Sequence, residues 1–345
     1  MSYVLAIDQG TTSTRCVVYD QKLNIIKSEQ QEYSLLYPED GWVEVEPAKL
    51  LKSVYETLDP ILNESFSIEC VGITNQRETT LVWDSASGET IYNGIVWQDR
   101  RTANFCSSLK DQNLESMITQ KTGLLLDPYF SATKISWILE NVDGARAKAS
   151  AGNLRFGTVD TFLLWHLSDG KIHKTDITNA SRTNLFNINT LKWDQELLDI
   201  FNVPMSMLPE VCSSDAKFGS LIRNGYSIPI TGMIGDQQSA LVGQECFEHG
   251  DMKATFGTGC FLMVNSGLKP QISKTGLLST VGYKLEGNVN YALEGSIFSA
   301  GTTIQWLRDN MQFFKDSKSS IDLLSSSGQS NGVIFIPAFT GMGAP

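Results

Sequence analysis

The segment near the start of the chain that is best suited to chemistry is DQGTTSTR, Asp8 to Arg15. It lies between two apolar runs, YVLAI and CVVY, and is therefore a turn between two predicted strands. A hairpin needs only a turn such as Asn-Gly, whereas this turn concentrates hydroxyls, a glycine, an acid and an arginine. Backbone N–H groups and hydroxyls around a glycine can surround phosphate oxygens, and an aspartate can hold Mg²⁺ through water. The turn indicates a phosphate site, with a polar hairpin as the alternative.

A second glycine turn, FGTGCF from Phe256 to Phe261, also joins two apolar runs. A nucleotide that is held between two domains needs hydrogen-bond donors from both of them. Two turns of this type in two halves of the chain therefore favour a duplicated architecture with a cleft between the halves.

The elements that must position these turns alternate between strands and helices, which predicts an α/β fold. YVLAI, TRCVVYD and NIIKSEQ predict a three-strand meander, and Pro47 opens a predicted helix over AKLLKSVYETL. Further predicted strands are IECVGIT, TTLVWD and LRFGTVD, and SATKISWILENV predicts a helix that Ser131 opens. The pattern restarts at about Ile228 with the strand IPITGMIGD, so we predict one domain over residues 1–228 and a second over 229–345.

Length and charge limit the classes of function. The 345 residues carry 27 Lys and Arg against 38 Asp and Glu, a formal net charge of -11. This balance argues against a nucleic-acid or anionic-membrane partner and favours a small molecule. The start of the chain lacks the pattern of a signal peptide, and no apolar run approaches a membrane span, so we expect a cytoplasmic protein without membrane insertion. The six cysteines are scattered, which predicts reduced thiols rather than disulfides or a zinc site.

Several motifs taken together identify a resemblance. They are DQGTTSTR, GWVEVEP, NQRETT, VWQDRRT, DPYFSATK, TNASRTNLFN, IGDQQSALVGQ, FGTGCF and ALEGSIFSAGTTIQWLRD. In this order they resemble the glycerol kinases, within the carbohydrate-kinase family that is related to actin and the heat-shock chaperone ATPases. The resemblance implies two ribonuclease-H-like, actin-like domains with a cleft between them. It also implies the transfer of phosphate from ATP, with Mg²⁺, to glycerol, which gives sn-glycerol 3-phosphate and ADP.

The resemblance implies a glycerol site formed by Arg77, Glu78, Trp97, Tyr129, Asp236, Gln237 and Phe261. Charged groups on one side and aromatic walls on the other suit a short triol. Asp236 is the candidate general base, because it ends a predicted strand just before a helix. The alternatives are core packing for the aromatic residues, a surface ion pair for Arg77 and Glu78, and a helix cap for Asp236.

The resemblance also implies a nucleotide site. Its predicted residues are Thr11, Thr12, Ser13, Thr14 and Arg15 of the first turn, Gly257, Thr258 and Gly259 of the second, and Gly301 and Gln305, with Asp8 as the Mg²⁺ ligand. For Gly301 and Gln305 the alternative is an ordinary helix start.

The chain ends at VIFIPAFTGMGAP, where a predicted strand over VIFIPAF lacks the neighbours that it needs. Because members of the resembled family continue beyond this point, we expect an incomplete second domain without the adenine-binding region. Two alternatives stay open. One is a kinase of another polyol or ketose on the same fold, and the other is an inactive truncated fragment that binds glycerol or nucleotide. The full-length form is expected to be a homo-oligomer.

Overall fold

A computed structural model of the protein describes residues 2–64, 66–257, 259–316, 318–330, 332–338 and 344. Its strands, numbered in chain order, are β1 Ser2–Gln9, β2 Ser13–Tyr19, β3 Ile25–Glu32, β4 Glu44–Val45, β5 Ser67–Asn75, β6 Leu81–Asp84, β7 Gly94–Ile95, β8 Leu154–Gly157, β9 Lys174–Asp176, β10 Phe186–Asn187, β11 Lys192–Trp193, β12 Glu210–Cys212, β13 Gly219–Arg223, β14 Tyr226–Gly235, β15 Met252–Phe256, β16 Cys260–Gly267, β17 Leu278–Leu285 and β18 Asn288–Ile297. Its α-helices are α1 Pro47–Leu62, α2 Ala103–Asp111, α3 Glu115–Thr122, α4 Ser131–Asn141, α5 Ala145–Ser150, α6 Val159–Leu167, α7 Ile177–Ala180, α8 Gln195–Ile200, α9 Asp236–Gly243, α10 Gly301–Asp309 and α11 Ser319–Ser327. Strands and helices mix along the chain, as the α/β prediction requires.

The first sheet has the strand order β13-β14-β5-β1-β2-β3. The predicted meander is present, because β2 pairs antiparallel with both β1 and β3. β5 lies parallel to β1 and to β14, and their last residues, Gln9, Asn75 and Gly235, are in register. The turns that follow these three strands therefore leave from one edge of the sheet, which is where ligands bind in open α/β sheets.

Helix α1 covers one face of this sheet, and it begins at Pro47 as predicted. Its buried apolar side chains recur at helical spacing, at Leu50, Val54, Leu58 and Ile61. Two polar contacts fix the helix over β2: the Thr14 and Ser53 hydroxyls lie 2.7 Å apart, and Cys16 Sγ lies 3.3 Å from Thr57 Oγ1. The helix thereby fixes β2, the strand that follows the first glycine turn.

The second sheet is antiparallel, in the order β15-β16-β18-β17. It packs against the first domain through hydrogen bonds as well as apolar contacts. Ser181, which follows α7, places its hydroxyl 2.9 Å from the hydroxyl of Thr280 on β17, and Ser279 N donates to Gly123 O at 2.8 Å. The second sheet, which carries the second glycine turn between β15 and β16, is therefore held against the first domain through β17.

Two sequence predictions differ from the structure. β14, which we predicted to open the second domain, pairs with β5 in the first sheet, so the predicted boundary at 228/229 falls within a strand of that sheet. A restart of the strand and helix pattern cannot tell which sheet a strand joins. The predicted strand VIFIPAF is also wrong over its described residues, 333–338, which form no strand. Ile334 is 84% exposed, and Pro337 lacks the N–H that a ladder needs.

No helix within the described ranges combines the length and the apolar character that crossing a membrane requires.

Candidate active site

A cavity of about 150 Å³ lies where the turns after β1, β5 and β14 face the second sheet. This volume is several times the roughly 30 Å³ that one water occupies in the liquid, so the cavity has room for a small polyol. Its lining residues are Thr11, Gln76, Arg77, Glu78, Trp97, Tyr129, Asp236, Gln237, Thr255, Gly257, Gly259 and Phe261. The structure thus brings together all seven residues that were predicted to bind glycerol.

Two arginines that line or support the cavity, Arg77 and Arg182, are paired with two buried glutamates, Glu78 and Glu294; of the four, Arg77 and Glu78 line the cavity. Arg77 Nη1 donates to Glu294 Oε2 at 2.6 Å, and Arg77 Nη2 donates to Glu294 Oε1 at 3.1 Å. Arg182 donates from Nη2 to Glu294 Oε1 at 2.9 Å and from Nε to Glu78 Oε1 at 2.5 Å. None of the four residues is more than 3% exposed. The surface ion pair considered for Arg77 and Glu78 is therefore wrong.

The electrostatic field of these pairs keeps Glu294 charged. Burial alone would raise the pKa of Glu294, but Arg182 and Arg77 lower it to about 2. Glu78 responds differently, because burial raises its pKa and the same two arginines oppose the rise without reversing it. The arginines are held in place by carboxylates, and Arg77, which lines the cavity, has its Nε 3.5 Å from Asp236 Oδ1.

The backbone at Glu78 has a left-handed conformation, with φ at 60°. A side chain makes this conformation costly, by about 1–2 kcal/mol, so the surroundings have to stabilise it. They do so through its carbonyl oxygen, which accepts from Ser131 Oγ at 3.1 Å and from Lys134 Nζ at 3.3 Å. The turn after β5 is thereby locked to the start of α4, and the Glu78 carboxylate is directed toward Arg182.

Aromatic side chains form the opposite wall. The ring of Trp97 lies edge-on to the rings of Tyr129 and Phe261, with centroids 5.7 and 6.1 Å apart. Trp97 Nε1 also donates to Thr11 Oγ1 at 2.9 Å, which links this wall to the first glycine turn. The Tyr129 hydroxyl accepts from Arg77 Nη2 at 3.4 Å. These rings pack together and line the cavity at the same time, so core packing and substrate contact are compatible here.

Asp236 lies at the mouth of the cavity as the first residue of α9, and its side chain is 33% exposed. Its Oδ1 accepts from the Gln237 backbone N–H at 2.7 Å and lies 3.5 Å from Arg77 Nε. Burial raises the pKa of Asp236, Arg77 and the N–H of Gln237 lower it, and the charge of Asp8 raises it. A carboxylate with a raised pKa accepts a proton more readily, which suits a general base.

Gly235 is needed next to this carboxylate for steric reasons. A Cβ atom at Gly235 would lie 2.9 Å from both Cγ and Cδ of Arg77. The backbone that carries Asp236 can therefore approach the buried arginine closely only because residue 235 has no side chain.

The predicted residues of the first turn are placed in different environments. Thr11 lines the cavity, whereas Thr12 and Ser13 do not line it, and Thr12 is exposed. Thr14 is fully buried and contacts Ser53 on α1, so its hydroxyl belongs to the core rather than to the predicted phosphate site. The alternation of side chains along β2 explains this, because every second residue faces the sheet's covered side.

The charged residues beside this turn are accessible. Arg15 is exposed and donates to Gln30 Oε1 at 2.8 Å, and it pairs across the sheet with Asp8, which is exposed too. Both side chains could therefore meet a ligand that enters from solvent.

The second turn places backbone groups at the cavity. Gly257 N donates to Gly259 O at 2.8 Å, and Gly301 N donates to Gly257 O at 2.9 Å, so the start of α10 contacts this turn. A Cβ atom at Gly259 would lie 2.7 Å from Ile297 O, which leaves no space for a side chain. Gln305 is exposed on α10, and Thr258 lies outside the described residues.

Sequence reasoning did not assign a role to Arg182 or Glu294. Both lie within quoted motifs, TNASRTNLFN and ALEGSIFSAGTTIQWLRD, and for Arg182 the available signal was that it is the single charged residue of its motif. Lys253 on β15 was missed as well. It is buried in an edge strand, and a lysine in a strand is ordinarily a solvated residue.

The residues present fit a Mg²⁺ ion that is shared with phosphate oxygens and water. Within the described part of the chain, no group of three or more His, Cys, Asp or Glu could hold a metal by itself. Asp8 is exposed at the end of β1, and its charge reaches Asp236. One or two carboxylates are the protein contribution that Mg²⁺ commonly receives at nucleotide sites.

Comparison with known proteins gives a consistent result. The FGGY family of carbohydrate kinases matches with its N-terminal domain at residues 3–243 and with its C-terminal domain at residues 252–345. A glycerol kinase of Alteromonas mediterranea is 55% identical over 350 residues, which cover 99% of this chain and 71% of that protein. Glycerol kinase 1 of Pseudomonas aeruginosa is 53% identical, with the same coverage.

Solved structures agree with the sequence relatives. The crystal structure of Plasmodium falciparum glycerol kinase with ADP superimposes with a TM-score of 0.92 at 39% identity, covering 98% of this chain and 69% of that one. A ligand-bound xylulose kinase of Lactobacillus acidophilus has a TM-score of 0.88 at 21% identity, covering 100% of this chain and 70% of its own, which is a likeness of fold alone.

Proposed function

Because this chain belongs to the FGGY family of carbohydrate kinases, we propose that it phosphorylates glycerol with ATP, giving sn-glycerol 3-phosphate and ADP. The observation that carries the proposal is the cavity in which Arg77, Glu78 and Asp236 face Trp97 and Phe261. Polar groups on one side and rings on the other match a triol with a short hydrocarbon face. About half of the residues are identical to those of glycerol kinases, and this identity supports glycerol as the substrate.

Asp236 acts as the general base in this proposal. Its carboxylate takes the proton of a terminal glycerol hydroxyl, and that oxygen forms a bond to the γ-phosphorus of ATP. The bond between the γ-phosphorus and the bridging oxygen breaks at the same time, and ADP leaves. Phosphoryl transfer depends mostly on positioning and charge stabilisation, to which a base commonly adds about 10²- to 10⁴-fold.

The glycine turns would bind the phosphates. Thr11, Thr12 and Ser13 offer hydroxyl and backbone donors on one side, and Gly257 and Gly259 offer backbone donors on the other. Arg15 supplies a positive charge, Asp8 is the proposed ligand of Mg²⁺, and Gly301 and Gln305 lie where α10 begins. When bound, Mg²⁺ would neutralise charge on the transferring phosphate. Because ATP is the proposed donor, we place the protein in the cytoplasm; its assembly into homo-oligomers stays a prediction.

We propose a domain boundary between residues 243 and 252, because the first sheet and its helix α9 end before it and the second sheet starts at Met252.

An assay of ADP release with glycerol, with xylulose and without substrate tests the function. Glycerol-dependent release, with xylulose at background, is the expected result. Release with xylulose that equals or exceeds release with glycerol would favour the alternative ketose kinase. Calorimetric binding of glycerol without any ADP release would favour the alternative of a non-catalytic binding protein, and absence of both would refute the proposal.

A further inference from the structure

The side chain of Lys253 contacts two residues that line the cavity but does not line the cavity itself. Lys253 lies on the edge strand β15 but is only 5% exposed. Its Nζ donates to Gln237 Oε1, and it donates to Thr255 Oγ1 at 2.9 Å. Gln237 and Thr255 both line the cavity, so this buried cation is in direct contact with the predicted substrate site without being part of its lining.

The contact fixes the orientation of the Gln237 amide. An ammonium group can only donate hydrogen bonds, so the amide atom that faces Lys253 has to be the oxygen. The amide nitrogen then points the other way, and Gln237 Nε2 donates to Asp236 Oδ2 at 3.3 Å. If the amide turned over, its nitrogen would face the ammonium and its oxygen would face a carboxylate, two unfavourable contacts at once.

The charges around Lys253 come from four elements. Burial lowers its pKa to about 8, and Arg77 acts in the same direction, against the opposing effects of Glu294, Asp236 and Cys260. At neutral pH the group is mainly charged. Lys253 thus belongs to a group of buried and partly buried ionisable residues that includes Arg77, Arg182, Glu78, Asp236 and Glu294.

We infer that Lys253 is a positioning residue that fixes the Gln237 amide with its oxygen on Lys253 and its nitrogen on Asp236 at the cavity wall, so that the substrate hydroxyl beside Gln237 meets an N–H donor and binds as a hydrogen-bond acceptor. This inference rests on the proposed function, because glycerol is taken as the substrate. It makes Lys253 a determinant of specificity, since it selects which role one substrate hydroxyl must take. Loss of Lys253 should weaken the recognition of that hydroxyl and leave the others recognised.

The test compares the binding of glycerol, 1,2-propanediol and 1,3-propanediol by calorimetry in the wild-type chain and in Lys253→Met. The Kd for glycerol should rise about tenfold, as for one lost hydrogen bond whose partner is left unpaired. The Kd for one of the two diols, the one that lacks the hydroxyl beside Gln237, should change less than twofold. Lys269→Met, an exposed lysine after β16, is the matched control and should leave all three unchanged.

Equal weakening of all three ligands, or no change in any, would overturn the inference. If Lys253→Met has no cooperative melt, Lys253→Gln is used for the same comparison. Failure of both variants to fold would show a structural role and overturn the inference too. A wild-type chain that binds no glycerol refutes the proposed function itself, which separates the two failures.

Discussion

The site has two halves, one proposed to bind the polyol and one proposed to bind the phosphates, and they are built from different kinds of group. On the polyol side, Arg77, Glu78, Arg182 and Glu294 are buried and bonded to one another across two sheets. On the proposed phosphate side, Arg15 and Gln305 are exposed outside the cavity, and Gly257 and Gly259 contribute to the cavity wall. A neutral triol brings no charge of its own, so charges that orient it have to be balanced within the protein. A phosphate is itself charged, so solvent-exposed groups can bind it.

This difference separates stability from function in the two halves. Removal of a charge from the buried half leaves its partner unpaired in a dry environment, which destabilises the fold. Removal of a charge from the exposed half should affect only the ligand. Substitutions in the two halves test this comparison directly: those in the buried half should change stability, and those in the exposed half should change only ligand binding.

Glu294→Ala should have the largest effect, because it leaves Arg77 and Arg182 without their shared carboxylate. We expect the free energy of unfolding to fall by about 3–5 kcal/mol, the usual cost of breaking a buried pair. Urea denaturation measures it. Glu56→Ala, which removes an exposed partner of Lys52, should change this free energy by less than about 0.5 kcal/mol. Equal effects of the two substitutions would contradict the distinction between the halves.

The pH dependence of stability sharpens the same point. The folded pKa of Glu294 is about 2, below its ordinary 4.5, so its contribution is present above pH 4.5 and is lost as the pH falls toward 2. Glu294→Ala should flatten this part of the stability profile. An unchanged slope between these pH values would show that Glu294 is not held by the arginines.

Asp236 lies where the two halves meet. The substitution Asp236→Asn should affect catalysis more than folding. We expect kcat to fall by about 10²-fold or more, because the base is lost, while the Kd for glycerol stays within several-fold. ADP release and calorimetry supply the two values. Near-normal turnover would remove Asp236 from the mechanism.

Removal of one hydroxyl from the substrate should reveal how rigid the polyol half is. With 1,2- or 1,3-propanediol, a buried polar group of the cavity is left unpaired, and kcat/KM should fall about 10- to 100-fold relative to glycerol. A diol that matches glycerol would show that the polar wall is misassigned.

Local patterns in the sequence were sufficient for the elements that build the first sheet. The meander β1 to β3, the start of α1 at Pro47 and the start of α4 at Ser131 follow from apolar spacing and turn residues, and the structure confirms them. The family resemblance is also confirmed, since it rests on many motifs in order. Contacts between the two sheets could not be predicted from the sequence. The pairing of Arg77 with Glu294 joins residues 217 positions apart, and no local pattern specifies it.

Residues of one motif can also occupy different environments, which the motif alone does not predict. Thr11 and Thr14 belong to one polar turn, yet one lines the cavity and the other bonds to Ser53 in the core. The apolar run VIFIPAF satisfies the local pattern of a strand, but a strand forms only where another strand pairs with it. Whether such a partner is available depends on tertiary structure.

Thr178→Val tests whether the hydrogen bonds of the Thr178 hydroxyl also position the polyol half of the site. Thr178 Oγ1 donates to Asp176 Oδ1 at 2.8 Å and accepts from Gly235 N at 2.9 Å, one residue before Asp236. The valine keeps the volume but leaves the Gly235 N–H without this acceptor, while Asp176 Oδ1 keeps its two hydrogen bonds from Asn179. We therefore expect a loss of about 1–2 kcal/mol in stability and a several-fold lower kcat. Thr178→Ser keeps the hydroxyl and should retain both; a serine variant as impaired as the valine would rule out the hydrogen bonds as the cause.

Arg15→Ala should have the smallest effect, and it tests the exposed half. The guanidinium is accessible and bonds to the neutral Gln30, so its loss leaves no buried charge and should change the free energy of unfolding by less than about 0.5 kcal/mol. The KM for ATP should nevertheless rise several-fold, because a positive charge beside the phosphates is lost, and the rise should shrink at high salt as charges are screened. Gln30→Ala removes the same hydrogen bond but keeps the charge, so its KM for ATP should stay near the wild-type value. A large loss of stability in Arg15→Ala, or a KM for ATP that does not change, would mean that the two halves are not divided between folding and ligand binding in the way their burial indicates.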